Sequence, residues 1–203
     1  MSERPSSADT LERLAHRQAG HVLMAYLITK AGIADHFFAL PIQPVDRGHL
    51  VPEFDLISLN GDLSDLARPS FSLRSLITMP LFLLGGVAGE RIREGTPKEA
   101  PLPPSLAVSR AMGMLASYFE EYGATESQGA ESRIALAISD FYQFTERELR
   151  NHWPAVEAIA LRLLKIESLN KYAAFDLIDI HIPESNRKPS STVAGKDRPN
   201  RPA

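Results

Sequence analysis

The sequence predicts a mostly α fold: a helical domain with a small β-hairpin. Three observations carry this. Apolar residues recur at helical spacing through most of residues 11–178. Capping residues and glycines mark helix starts and stops along the same span. Strand-like runs are confined to one short, proline-rich stretch. A chain of 203 residues fits one domain over 8–182, followed by a tail over 183–203.

The first helix is expected between Asp9, which with Glu12 forms a capping box, and Gly32 as its stop. Leu11, Leu14, Ala15, Gln18, Val22 and Ala25 share one stripe. From Ala19 onward the other faces turn apolar too, as in a central, buried helix. Gln18 on the core stripe is an odd place for an amide. Next, His36–Pro41 and His49–Val51 are read as two short strands joined by a turn at Asp46-Arg-Gly48. Residues 53–69 are turn-rich and read as a loop.

A second helix is expected over 72–93, stopped by Gly95, with Pro80 kinking it or splitting it from a preceding turn. The four prolines of 94–104 make that segment a loop or linker. Ser105 is an N-cap for a third helix that runs to Tyr122 and closes at Gly123. Residues 124–130 are loop-like. A long helical stretch over 131–165 should break near Asn151 or His152, because Pro154 cannot continue a helix. A short helix around 172–178 finishes the domain. The Pro-, Ser-, Arg- and Lys-rich tail lacks apolar periodicity and is expected to be disordered.

Composition narrows the function classes. With no cysteine, disulfides, thiolate metal sites and a cysteine nucleophile are excluded, and a reducing cytoplasmic location is the expectation. A net charge of -3 gives no reason to expect nucleic acid or an anionic membrane as partner. The N-terminus lacks the apolar core of a signal peptide. The most apolar run, Thr78–Gly89, is short for a bilayer and carries Pro80 and three glycines. It reads as a buried core helix.

Four blocks, in order, resemble the peptidase domain of the FtsH-type ATP-dependent zinc metalloproteases. Leu14-Ala-His-Arg-Gln-Ala-Gly-His-Val-Leu-Met-Ala25 is similar to the family's helix bearing H-E-A-G-H. Residues 35–51 stand where the family has a hairpin. Leu83-Leu-Gly-Gly-Val-Ala-Gly-Glu-Arg-Ile92 looks like the family's L-L-G-G-R-A-A-E-E-L. Residues 151–169 have the cadence of the family's final helix and its closing E-x-L turn. The resemblance implies an FtsH-peptidase-like helical fold.

Position by position, the resemblance sets Arg17 at the first zinc ligand, Gln18 at the general base, His21 at the second ligand and Ser105 at the third. Such chemistry needs two histidines at i and i+4 and a carboxylate to activate the bound water. Arg17 is permanently cationic and offers no lone pair. Gln18 cannot take a proton from water at neutral pH. Ser105 is a poor zinc ligand, so only His21 remains. His16 is no substitute: it lies five residues from His21, about 140° around the helix. His36 or His49 would have to approach His21 to rebuild a site.

The expectation is therefore a catalytically inactive, metallopeptidase-like pseudoenzyme without cofactor, acting as a binding or adaptor module. The alternative is an active zinc metalloendopeptidase with a rearranged metal site. A protein partner or self-association is the third expectation, since the family's peptidase domains assemble as rings. No G-x-x-x-x-G-K-[ST] sequence supplies an ATPase module. The plainer reading of His21 is a hydrogen-bonded core histidine, of Gln18 an amide bonded to backbone, and of Arg17 a residue paired with an acid. Glu90, Glu120 and Glu121 read as surface carboxylates. Gly85 and Gly86 read as a close helix contact, and the basic tail residues Arg187, Lys188, Lys196, Arg198 and Arg201 as a solvated extension.

Overall fold

A computed structural model of the chain describes residues 7–30, 54–59, 61–66, 73–97, 100–122 and 129–182. They form six α-helices and one two-stranded antiparallel sheet. In chain order these are α1 (Ser7–Thr29), β1 (Leu56–Ser58), a 3-10 turn (Leu63–Leu66) and α2 (Leu73–Arg93). Then come α3 (Leu106–Tyr122), α4 (Ala130–Asn151), α5 (Trp153–Ile166), β2 (Ser168–Asn170) and α6 (Lys171–His181). The mostly helical class with a small sheet matches the sequence expectation.

Helices α1 and α2 lie against each other at the centre. Every residue from Gln18 to Ile28 of α1 is buried, as is every residue from Ser75 to Gly89 of α2. The two backbones approach through glycines. A Cβ on Gly20 would lie 2.2 Å from the Gly85 carbonyl oxygen, and one on Gly89 would lie 2.4 Å from that of His16. The double glycine thus serves close helix packing. By length and composition Ser75–Arg93 would also suit a bilayer, but 89% of that stretch is buried within the protein, the setting of a core helix. Pro80 lies inside α2 without dividing it.

The remaining helices clothe this pair. Helices α3 and α4 pack on α2, and α5 packs on α1 through Ala155, Val156, Ile159, Ala160 and Leu163, all fully buried. Helix α6 closes the far end, where Tyr26 of α1 donates to Asp179 and meets the edge of Phe175 at 5.3 Å.

Several stops fall where the sequence puts them. Gly95 takes a φ of 67°, and the Thr96 amide returns to the Arg91 carbonyl at 2.9 Å, a Schellman end for α2. Ser105 caps α3 by accepting from the Val108 amide at 3.2 Å. Helix α4 ends at Asn151, and Pro154 stands in the first turn of α5, where its missing N–H costs nothing. The helix expected around 172–178 runs from Lys171 to His181, and Asn170 caps it by accepting from the Ala173 amide at 2.8 Å.

Two expectations need correction, the start of α1 and the loop over 53–69, and others fall outside the described residues. Helix α1 is already formed at Ser7, so Asp9 lies in its first turn instead of capping it, where a negative charge still suits the helix dipole. The strands expected at 36–41 and 49–51, the stops Gly32 and Gly123, and the tail 183–203 lie outside the described residues. The sheet found is no local hairpin. It pairs Leu56 with Asn170, Ile57 with Leu169 and Ser58 with Ser168, joining the segment read as a loop to the closing turn after α5. Ile57 and Leu169 carry it into the core.

Candidate functional site

The Gln18–His21 turn of α1 faces residues 61–66. Gln18 is fully buried and holds that segment from both sides: its amide nitrogen donates to the Gly61 carbonyl, and its carbonyl accepts from the Leu63 amide at 3.2 Å. This strips the buried amide of its cost, because both ends are satisfied. Gln18→Ala should lower stability by about 3 kcal/mol, through a cavity and an unsatisfied Leu63 amide. Chemical denaturation measures this, and a loss under about 1 kcal/mol would show that the two bonds do not hold the segment.

So anchored, the segment aims Asp62 at α1. Its Oδ2 lies 2.9 Å from the Arg17 guanidinium, and its Oδ1 lies 3.7 Å from His21 Nε2. The Ser64 amide also donates to Oδ1 at 2.9 Å. Burial works against the Asp62 carboxylate, but the Ser64 amide and hydroxyl, with Arg17 and His21, outweigh it and hold its pKa below the ordinary value.

His21 is completely buried. Its Nδ1 lies 2.8 Å from the Phe82 carbonyl and must donate to it, so in the neutral ring Nε2 carries the lone pair. The ring stacks on Phe82 at 4.8 Å. Gly86 leaves room for it, since a Cβ there would lie 2.2 Å from Nε2. Among the described residues, Nε2 has no hydrogen-bond partner. Desolvation pushes the pKa of His21 down to about 4; the Phe82 bond and Asp62 oppose this less strongly. At neutral pH the group is an uncharged imidazole shut away from solvent.

A cleft of about 370 Å³ opens beside this cluster, between α1, the end of α2 and the start of α3. Arg13, Arg17, Glu90, Arg91, Glu94 and Ser105 are among the residues that line it. Arg13 pairs with Glu90, and also with Glu94 at 2.8 Å. Arg91 is buried and clamps the chain after α2 through the Ala100 and Pro101 carbonyls, both at 2.7 Å. With Asp62 behind Arg17, three cations face three carboxylates among the described residues, so these side chains set up no net field that selects an ion of one sign.

The structure thus brings two of the four positions to one cleft. Arg17 and Ser105 line one cleft, Gln18 is turned into the packing, and His21 is sealed behind. His16 points elsewhere, with Nδ1 2.7 Å from the Glu12 carbonyl and its ring stacked on Trp153 at 5.6 Å. His36 and His49 lie outside the described residues, as does the side chain of Glu121. Glu120 is exposed, whereas Glu90 belongs to the Arg13 network.

A zinc ion does not fit these residues. A zinc site needs at least three protein donors. His21 Nε2 and Asp62 are two, and the guanidinium already occupies the second carboxylate oxygen. Among the described residues no three His, Cys, Asp or Glu side chains converge. Asp62 is the member that the sequence reading missed. It lies 44 positions beyond Gln18, in a turn-rich segment without periodicity, and the only local sign is an Asp-x-Ser turn.

No family model matches the chain, and no curated protein matches it.

Proposed function

We propose that the chain is a divergent, catalytically inactive relative of the FtsH-type peptidase domain that acts as a binding or adaptor module. The observation that carries this reading is the ion pair between Arg17 and Asp62 at 2.9 Å, beside a fully buried His21. A fixed guanidinium there repels a divalent cation and consumes the carboxylate that would help hold one. Gln18, locked by two backbone bonds, has neither the chemistry of a general base nor freedom to reach water. The cleft lined by Arg13, Arg17, Glu90 and Ser105 offers mixed charge, which suits a polar polypeptide segment better than a simple ion.

The test is elemental analysis of the purified full chain together with a casein-cleavage assay. The expected result is no stoichiometric zinc and no cleavage that a chelator stops. One zinc per chain, lost in His21→Ala, would overturn the reading in favour of a rearranged metallopeptidase. The unpartnered Nε2 of His21, facing Asp62 at 3.7 Å, is the observation that favours that second reading. It would need a third donor such as His36 or His49.

A further inference from the structure

The charges around the cleft between α1, α2 and α3 balance in sum but do not pair evenly. Arg13 meets two carboxylates, Glu90 and Glu94, and Arg17 meets one, Asp62. Among the described residues Arg91 makes no ion pair at all. Its terminal nitrogens donate to the Ala100 and Pro101 carbonyls, its Nε has no hydrogen-bond partner, and its guanidinium carbon lies over the Tyr142 ring, 5.4 Å from the centroid. Arg91 is only 7% exposed, and a buried cation that no carboxylate answers is costly. It lines a cleft of about 370 Å³, which gives an anion a way to approach it. Arg17, on the same wall, adds a second buried Nε without a partner.

The start of α3 reinforces this. Ser105 lines the cleft and caps the helix. The first amides of a helix have no carbonyl within it to bond, so they present positive partial charge. A helix start and an uncompensated guanidinium together make one part of the cleft positive. Another part is negative, because two carboxylates share Arg13 there. Val87 and Pro103 add apolar lining.

We propose, resting on the binding-module reading above, that this cleft binds a short peptide with both ends free. Its carboxylate lies beside Arg91 and the start of α3, and its ammonium beside Glu90 and Glu94. A simple ion gains one of these contacts and is repelled at the other, whereas a zwitterion gains both. Arg91 and Glu94 stand three residues apart at the end of α2, about 5 Å along the helix axis. Two extended residues reach roughly 7 Å, and a single amino acid about half that. A dipeptide therefore spans the two charges and a free amino acid falls short. A ligand of this size binds with a dissociation constant on the order of millimolar.

Titration of the full chain with alanyl-alanine, followed by backbone amide chemical shifts, tests this. The amides of Leu106 and Ala107, at the start of α3, move and saturate in the millimolar range. N-acetyl-alanyl-alanine and alanyl-alanine amide each keep one charge, and each binds about 10-fold more weakly. Glu94→Gln, at an exposed position, weakens alanyl-alanine about 5-fold and leaves the N-acetyl peptide unchanged. Arg91→Gln weakens alanyl-alanine and its N-acetyl form but not its amide. If Arg91→Gln fails to fold, Glu94→Gln read against the blocked peptides still decides. No shift at Leu106 or Ala107 up to about 50 mM, far above a millimolar constant, overturns the proposal. So do blocked peptides that bind as well as the parent, or a Glu94→Gln variant that weakens all three alike. Zinc content and casein cleavage enter none of these outcomes, so the peptide site can fail while the inactive-peptidase reading stands.

Discussion

Gly20→Ala is expected to lower the free energy of unfolding by about 3 kcal/mol, the upper part of the range for overpacking a core. Helix propensity alone would push the other way, since alanine favours a helix interior over glycine by about 1 kcal/mol. The collision decides the sign. The new methyl would lie 2.2 Å from the Gly85 carbonyl oxygen and 3.3 Å from a Leu149 methyl. The first of these neighbours is backbone, so no rotamer change relieves it, and α1 must move off α2. Gly113→Ala is the control. It lies on the exposed face of α3 with nothing within 4 Å of an added Cβ, so it should gain about 1 kcal/mol. Urea denaturation of the two variants gives the comparison, and a Gly20→Ala midpoint equal to wild type would show that the helices tolerate wider separation.

Acid is expected to weaken the fold by an amount on the order of 3 kcal/mol through His21 alone. The group titrates at about 4 in the folded chain, against an ordinary 6.5. Because the folded value is depressed, the unfolded chain binds the proton first. The stabilisation from keeping His21 neutral is complete above pH 6.5, falls as the pH drops toward 4, and is gone below. His152, also lowered by burial, adds in the same direction. Asp62, whose folded value lies below its ordinary 3.8, loses its contribution only at still lower pH. The clean measurement is the slope of stability against pH between 6.5 and 4 in wild type and in His21→Leu. The variant starts lower, since the Phe82 carbonyl loses its donor, but its slope should be much flatter. Parallel profiles would mean that the buried ring accommodates a proton, with Asp62 as its counter-ion.

The helical frame was legible because helices announce themselves locally. The stripe of α1, the Ser105 cap, the Gly95 stop and the Pro154 break each depend on residues within a few positions of one another. The burial of α1 on all faces was legible for the same reason, and so was the discomfort of Gln18 on the core stripe. What Gln18 binds was not. Its partners, Gly61 and Leu63, lie more than 40 positions away, in a segment whose backbone bonds leave no periodic trace. Asp62 escaped by the same physics, although it supplies the charge that Arg17 and His21 face. The pairing of β1 with β2 escaped too, since two strands of three residues are too short to show alternation.

That sheet bears on how the chain comes to be folded. Its first strand, Leu56–Ser58, can find its partner only after Ser168–Asn170 exists, more than 100 residues later. On a ribosome, α1 to α4 are synthesised while β1 has no mate and its exposed backbone awaits one. Closing so long a loop is entropically costly unless the intervening helices have already drawn the two ends together. The pairing of Ile57 with Leu169, fastened on either side by the Leu59 amide to the Glu167 carbonyl and the Lys171 amide to the Asp55 carbonyl, is thus expected to form late. It works as a clasp, fastening the chain's first third to its last described helix once the helices between them have collapsed.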